Sequence, residues 1–319
     1  MSFSSKIKEE IGKHYSNARH CKIAETAALL SVCGRLIMKE TKVLAVVLQT
    51  ENAIVARKYF TLLKKTFNIN TEILIRKNMT QKKSTTYLLI VKSQKQVQTL
   101  IQATKLVIDH ESQEKGLLTD QLIVQNTCCK RAFIRGSFIS SGSISDPSKA
   151  YHFEIALPTR PKAVQLREML KVFGIEAKIV QRKRYFVVYL KEGSQIVDLL
   201  NVMEAHIALM NLENVRILKE MRNSINRQVN CETANINKTV AAASKQVEDI
   251  LFIKELIGFG ELDEGLEEIA TLRLAHPEAS LKELGQLLSV PIGKSGVNHR
   301  LRKLSIIADN LREHKEEKL

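Results

Sequence analysis

A chain of 319 residues, 44% hydrophobic and 26% charged, is long enough for two or three domains with cores of their own. It contains no apolar run near the ~18 residues needed to span a bilayer, which excludes an integral helical membrane protein. The formal charge of +15 points to a polyanionic partner, and it is unevenly placed. Residues 1–200 hold 33 Lys and Arg against 16 Asp and Glu, whereas residues 201–319 hold 16 against 18.

The N-terminus, "MSFSSKIKEEIGKHYS", mixes Lys and Glu and lacks an apolar export core, so a cytoplasmic, nucleoid-associated protein is expected. From Cys21 an internal repeat begins. Cys21-Lys22-x-Ala24 precedes Gly34, and Cys129-Lys130-x-Ala132 precedes Gly142, both pairs offset by 108 residues. Between the markers, "AETAALLSVCG" and "AFIRGSFISSG" are rich in small and apolar residues, which predicts two buried helices. Each is followed by an extended segment, 42–49 and 150–157, rich in β-branched and aromatic residues.

Amphipathic helices then start near Glu51 and Arg160. "TEILIRKN" matches "AKIVQRKR", "TTYLLIV" matches "YFVVYLK", and closing helices are expected near 95–107 and 194–208. Two units, 1–112 and 113–212, are thus expected to pair about a pseudo-two-fold axis. Ala27, Ala28, Gly34, Gly136 and Gly142 would allow the first helices to approach closely. The paired sheets would form a saddle lined with Lys and Arg and suited to a duplex, with Arg76-Lys77 and Arg182-Lys183 at equivalent places.

Residues 213–258 read as a linker with helical stretches, rich in Asn and Arg, followed by a helix with Val240, Ala243, Val247, Ile250, Leu251 and Ile257 on one face. Residues 259–319 read as an all-helical domain. A first helix spans about 263–275 and ends before Pro277. Ser280 and Glu283 form a capping box for "LKELGQLL", and "SVPIGK" supplies a turn. Ser295 is expected to cap a second helix, "GVNHRLRKLSIIADNL".

Leu281, Leu284, Leu288, Val297, Leu301 and Leu304 occupy the contact positions of a helix-turn-helix. Residues 294–304 contain four basic and no acidic residues, while 246–279 contain two basic and nine acidic. The candidate DNA-binding residues are therefore Ser280, Lys282, Lys294, Ser295, Gly296, Asn298, His299, Arg300, Arg302 and Lys303. Arg and Asn suit base edges, and Lys294 and Lys303 suit phosphates. The connection resembles an enlarged version of the turn in sigma-factor region four.

The five cysteines, Cys21, Cys33, Cys128, Cys129 and Cys231, are odd in number and lack the spacing of a zinc motif. Reduced thiols acting as small buried residues are expected, with no metal and no cofactor. Asp146, before Pro147, is expected to brace a turn.

The helix "IRGSFISSG" resembles the signature helix of LAGLIDADG homing endonucleases, with Gly136 and Gly142 on its two glycines. "TAALLSVCG" resembles a more worn copy. The resemblance implies an α+β, pseudo-two-fold αββαββα repeat pair. In that family the residue before each final glycine is a metal-holding acid, but here it is Ser141 and Cys33. Neutral groups at those places cannot hold a hard cation in the way carboxylates do, so a nuclease fold without nuclease activity is expected.

Together with "NRQVNCETANINKTVAAA" and "SLKELGQLLSVPIGKSGVNHRLRKL", the chain resembles the WhiA family of transcription regulators of Gram-positive bacteria. The resemblance implies control of sporulation, or of cell division and chromosome segregation, through double-stranded DNA, with other transcription or division proteins as further partners. Two other readings stay open: a scaffold whose DNA affinity is incidental, and a metal-dependent endonuclease that uses other acids.

Overall fold

The computed structural model describes residues 2–39, 42–78, 84–109 and 116–316. They divide into two compact units, 1–219 and 220–319. Among the described residues, no helix is long and apolar enough to cross a membrane.

The first repeat runs α1 (Phe3–Lys13), α2 (Arg19–Cys33), β1 (Gly34–Lys39), β2 (Lys42–Thr50), α3 (Ala53–Phe67), β3 (Glu72–Asn78), β4 (Ser84–Val91) and α4 (Gln94–Thr104). A hairpin, β5 (Leu106–Asp109) and β6 (Gly116–Thr119), and a 3-10 turn at Gln121–Val124 connect to the second repeat. That repeat runs α5 (Thr127–Ser141), β7 (Gly142–Ile144), β8 (Phe153–Leu157), α6 (Arg160–Lys171), β9 (Lys178–Arg182), β10 (Tyr185–Leu190) and α7 (Gly193–Val202). The sequence signals did not reveal α1 or the β5–β6 hairpin. Both lie outside the repeated unit, so the repeat does not mark them.

The two sheets are antiparallel and have the same topology, β1-β2-β4-β3 and β7-β8-β10-β9. Their registers superimpose rung for rung. Gly34, Leu48, Leu89 and Ile73 share one rung of the first sheet, and Gly142, Ile155, Val188 and Ile179 share one rung of the second. Counting three residues on from Ile73 and Ile179 places Arg76 and Arg182 at the same site of the two sheets. Leu48, Leu89, Ile155 and Val188 point into a core shared with α2, α3, α5 and α6. Phe138 of α5 stacks on Phe153 of β8 within that core, ring centroids 5.4 Å apart.

α2 and α5 cross at the centre of the first unit. A Cβ on Gly136 would lie 2.9 Å from the Ala28 Cβ and 2.9 Å from the Glu25 carbonyl oxygen, so only a glycine lets the backbones come this near. Beside the crossing is a buried charge cluster. Glu25 of α2 takes Lys58 Nζ of α3 at 2.8 Å and Arg135 Nε of α5 at 3.3 Å, and these three side chains are at most 1% exposed.

Arg135 also donates from Nη1 to Glu204 at 2.6 Å and from Nη2 to Ser16 at 2.8 Å. Lys58 Nζ donates to the carbonyls of Ile11 and His14. Burial lowers the Lys58 pKa, with Glu25 opposing that shift, and burial together with the Arg135 charge lowers that of His14.

α8 (His206–Leu256) is a single helix of 51 residues. The helical stretches expected over its Asn-rich middle form one unbroken helix. Asn is a weak helix former, but no Gly or Pro interrupts the segment, and the first positive φ after it is at Gly258. The expected apolar face is also shifted: Ile250 and Ile253 are buried, whereas Val240, Leu251 and Ile257 are exposed.

The second unit adds α9 (Glu264–Ala275), α10 (Leu281–Leu287) and α11 (Lys294–Glu316). Its core joins Ile250, Ile253, Leu266, Ile269, Ala270, Leu284, Leu288, Val297, Leu301, Leu304 and Ala308. Buried Asp249 of α8 accepts from Arg312 of α11 at 2.7 Å.

Two substitutions check the crossing. Glu25→Gln leaves buried Lys58 without a carboxylate and Arg135 with Glu204 alone, and is expected to destabilise by about 3–5 kcal/mol in denaturant unfolding. A change within about 1 kcal/mol would show that the cluster is not needed to hold the helices. Gly136→Ala gains about 1 kcal/mol in helix propensity but forces two backbones apart at a typical cost of about 1–3 kcal/mol. It should lower the melting temperature, and a rise would contradict the close approach.

Candidate nucleic-acid interface

The helix-turn-helix is built from the connection outward. Ser280 Oγ accepts from the Glu283 amide and Glu283 accepts from the Ser280 amide at 2.7 Å, completing the expected capping box. The Glu283 carboxyl is held below its usual range by these Ser280 hydrogen bonds. Arg273 of α9 is buried and donates to the carbonyls of Pro277 and Ala279, which fixes the bend between α9 and α10.

At the next bend, the Ile292 amide donates to the Gly285 carbonyl at 3.1 Å. A Cβ on Gly285 would sit 2.4 Å from the Ile292 oxygen. The Ser289 amide donates to Glu268, tying the bend to α9.

α11 opens at Lys294, one turn after which the Val297 amide reaches the Gly293 carbonyl at 3.2 Å. Ser295 therefore lies inside the first turn and does not cap the helix as expected. The apolar stripe Val297, Leu301, Leu304 and Ala308 is buried, which turns the remaining face outward.

Lys294, Ser295, Asn298, His299, Arg302 and Lys303 are exposed, Gly296 is half-buried, and Ser280 and Lys282 are exposed on α10. Asn298 and Arg302 line a cleft shared with Ala242, Lys245 and Gln246 of α8. Arg300 differs from its neighbours. It is half-buried and donates to the Gly265 carbonyl at 3.3 Å, so its guanidinium braces α9.

The sheets carry less charge than expected. Neighbouring strand residues face opposite ways, so Arg76 and Lys77 cannot both look away from the core. Arg76 does so, on a face it shares with Arg35, Val47, Gln49, Glu72, Leu74, Thr86, Leu88 and Ile90. In the second sheet Arg182 is paired with Glu154 at 3.0 Å, and Lys183 falls in the turn at φ 55°. Among the described strand residues, the outward faces of the two sheets carry Arg35, Arg76, Lys178 and Arg182 against Glu72 and Glu154, a smaller basic excess than expected.

α2 and α5 each run straight into a strand, at Gly34 and Gly142, both in extended conformation. Ser141 Oγ is buried with no hydrogen-bond partner among the described residues. The Cys33 thiol is pushed up by burial, opposed by a hydrogen bond from Ser140 and by the charges of Lys8 and Lys162. Lys162 Nζ donates to the Ser31 carbonyl at 2.7 Å. Two ammonium groups, and no carboxylate from Cys33 or Ser141, occupy the ends of the helices. Asp146 braces its own turn, accepting from the Ser148 amide and hydroxyl at 2.9 and 2.6 Å.

Not all the cysteines are small core residues. Cys21 and Cys129 are buried, Cys33 is half-buried, and Cys128 and Cys231 are exposed. Cys21, Cys128 and Cys129 meet beside His20. Sequence spacing hid this grouping because its two pairs lie on different repeats.

Comparison with known proteins follows the same division. Residues 19–107 match the WhiA N-terminal LAGLIDADG-like domain, 130–222 the WhiA LAGLIDADG-like domain and 225–308 the WhiA C-terminal HTH domain. The chain is 66% identical over 313 residues to the "Probable cell division protein WhiA" of Lachnoclostridium phytofermentans, covering 98% of this chain and all of that one. It is 47% identical over 317 residues to the protein of the same name from Alkaliphilus oremlandii, covering 99% of each. Its fold is similar to the crystal structure of full-length DUF199/WhiA from Thermatoga maritima, with a TM-score of 0.60, 24% identity, and coverage of 97% of this chain and 99% of that one.

Gly285→Ala tests the tight bend. The contact with the Ile292 carbonyl is expected to cost about 1–3 kcal/mol, more than the ~1 kcal/mol that alanine gains in a helix, so thermal melting of the second unit should fall. Unchanged melting would mean that the α10–α11 connection is looser than described.

Proposed function

The chain belongs to the WhiA family, and on that premise we propose that it is a sequence-specific DNA-binding transcription regulator linked to cell division, chromosome segregation or sporulation. Its nuclease-like unit does not cut DNA. One observation carries this reading. α11 buries Val297, Leu301 and Leu304 against α9 and α10 while presenting Asn298, His299, Arg302 and Lys303 to solvent.

A helix anchored on one side and basic on the other is suited to the major groove. Arg302 and Asn298 have the donor geometry to read guanine and adenine. Lys294, Lys303 and the free amides of the first turn, beside Ser295 and Gly296, are suited to phosphates. Ser280 and Lys282 lie where the first helix of such a motif meets the backbone. Arg300 contributes by holding α9 in place. In the first unit, Arg76 and Lys183 add weaker, sequence-tolerant attraction to phosphate, while Arg182 is held by Glu154 and Lys77 faces away from Arg76. DNA binding of this kind places the protein on the nucleoid, in the cytoplasm.

The chemistry at the ends of α2 and α5 supports the non-cutting reading. A hard divalent cation such as Mg2+ requires oxygen ligands, carboxylates above all. Cys33 and Ser141 supply no carboxylate, and the ammonium groups of Lys8 and Lys162 act on Cys33, which further disfavours a cation.

The reading is tested by mapping bound sites across the genome and measuring affinity for the enriched duplex. Arg302→Ala should weaken that binding about 5- to 150-fold, equivalent to about 1–3 kcal/mol, and relax selectivity at one base position. Lys303→Ala should weaken all duplexes alike and reduce the salt slope by about 1. Wild-type affinity in both variants would refute the assignment of α11. Chelator-sensitive cleavage of a plasmid in Mg2+ or Mn2+ would refute the non-nuclease reading.

A further inference from the structure

A second constellation lies at the opposite ends of the crossed helices. His20 and Cys21 open α2, and Cys128 and Cys129 open α5. The repeat offset of 108 residues relates His20 to Cys128 and Cys21 to Cys129. The four residues are therefore two equivalent pairs facing each other across the pseudo-two-fold axis. One ligand atom from each lies within 4.8 Å of all the others.

The distances agree with a single tetrahedral centre. With Zn–S near 2.3 Å and Zn–N about 2.0–2.1 Å, the N-to-S edge of a tetrahedron is about 3.5 Å. His20 Nδ1 stands 3.1 Å from Cys129 Sγ, 3.4 Å from Cys21 Sγ and 3.9 Å from Cys128 Sγ. One imidazole and three sulfurs form the Cys3His donor set of structural zinc sites, and soft sulfur discriminates against magnesium and calcium.

We propose that His20, Cys21, Cys128 and Cys129 bind one zinc ion that clamps the N-terminal ends of α2 and α5. Four protein ligands leave no open position, so the role is structural. Both helix N-termini favour the negative charge of the thiolates. Arg19, Lys22, Lys130 and Arg131 flank the ligands in sequence and offset the net charge of a zinc ion bound to three thiolates.

Cys21 and Cys129 are buried beside Ala24 and Ala132, whereas His20 and Cys128 are exposed, giving the ion a route from solvent. The site is distinct from the place of a nuclease metal. Cys21 and Cys33 are twelve residues apart on one helix, or about 18 Å at 1.5 Å per residue.

The test uses full-length protein purified under reducing conditions, supplied with Zn2+, desalted and analysed for metal. One zinc per chain is expected, and it should be retained in Cys33→Ser and Cys231→Ser. It should be lost or strongly weakened in Cys128→Ser and His20→Ala, whose exposed positions leave the core unaltered. Co2+ in place of zinc should show the visible absorption bands and sulfur-to-metal charge transfer of a tetrahedral thiolate site. A chelator should lower the melting temperature, and added Zn2+ should restore it. The proposal is overturned if reduced wild-type protein takes up no stoichiometric zinc or cobalt, if Cys128→Ser and His20→Ala bind zinc as tightly as wild type, or if two of these cysteines form a disulfide under the same conditions.

Discussion

The first unit depends on the crossing of α2 and α5. Two features that tie its repeats together meet there: a glycine where the backbones nearly touch, and a carboxylate from one helix shared by cations from two others. Glu25, Lys58 and Arg135 are nearly inaccessible to water. The energetic meaning of such a cluster is asymmetric. Desolvation offsets much of its mutual attraction, so it adds modest net stability over an apolar set, yet losing the Glu25 carboxylate would leave buried Lys58 without an anion. It specifies one packing of α2, α3 and α5 and penalises alternatives.

That rigidity separates architecture from chemistry. The helices keep the close approach that a metal nuclease would need, while their C-terminal ends present a thiol, hydroxyls and nearby ammonium groups. Their N-terminal ends present sulfur and imidazole. The ligand character at the two ends is thus opposite to that of a magnesium enzyme: hard oxygens are missing where they would act on a phosphodiester, and soft ligands gather where they can only brace. In the second unit, α10 and α11 are set by backbone contacts at Gly285 and Gly293 and by the capping pair Ser280 and Glu283.

Most of the helix-turn-helix could be read from local signals. The capping box, Pro277 and the 3.6-residue apolar period each act within a few residues, and the structure reproduces all three. Ser295 misleads because a hydroxyl ahead of a helical run signals a cap, yet the Gly293 carbonyl starts α11 two residues earlier. Arg300 misled because charge composition does not say which way a side chain turns, and its partner, Gly265, lies on another helix. The Asn- and Arg-rich composition of the middle of α8 suggests a linker with separate helical stretches, but composition is a weak guide when no Gly or Pro enforces a break.

The sequence by itself determined the repeat, its period, the order of strands and helices in each copy, and the identity of the residues at the helix ends. These are properties of short stretches, and the equivalence of Arg76 and Arg182 survives to the rung. Only the tertiary structure decided which face each strand residue takes and which distant side chains meet. A surplus of basic residues in a sequence does not specify a basic surface, since β pleating sends adjacent residues to opposite sides and ion pairs such as Arg182 with Glu154 neutralise part of the rest. Two pairs of ligands 108 residues apart became one cluster for the same reason: pairing the repeats about an axis brings equivalent residues together, and no spacing along the chain records it.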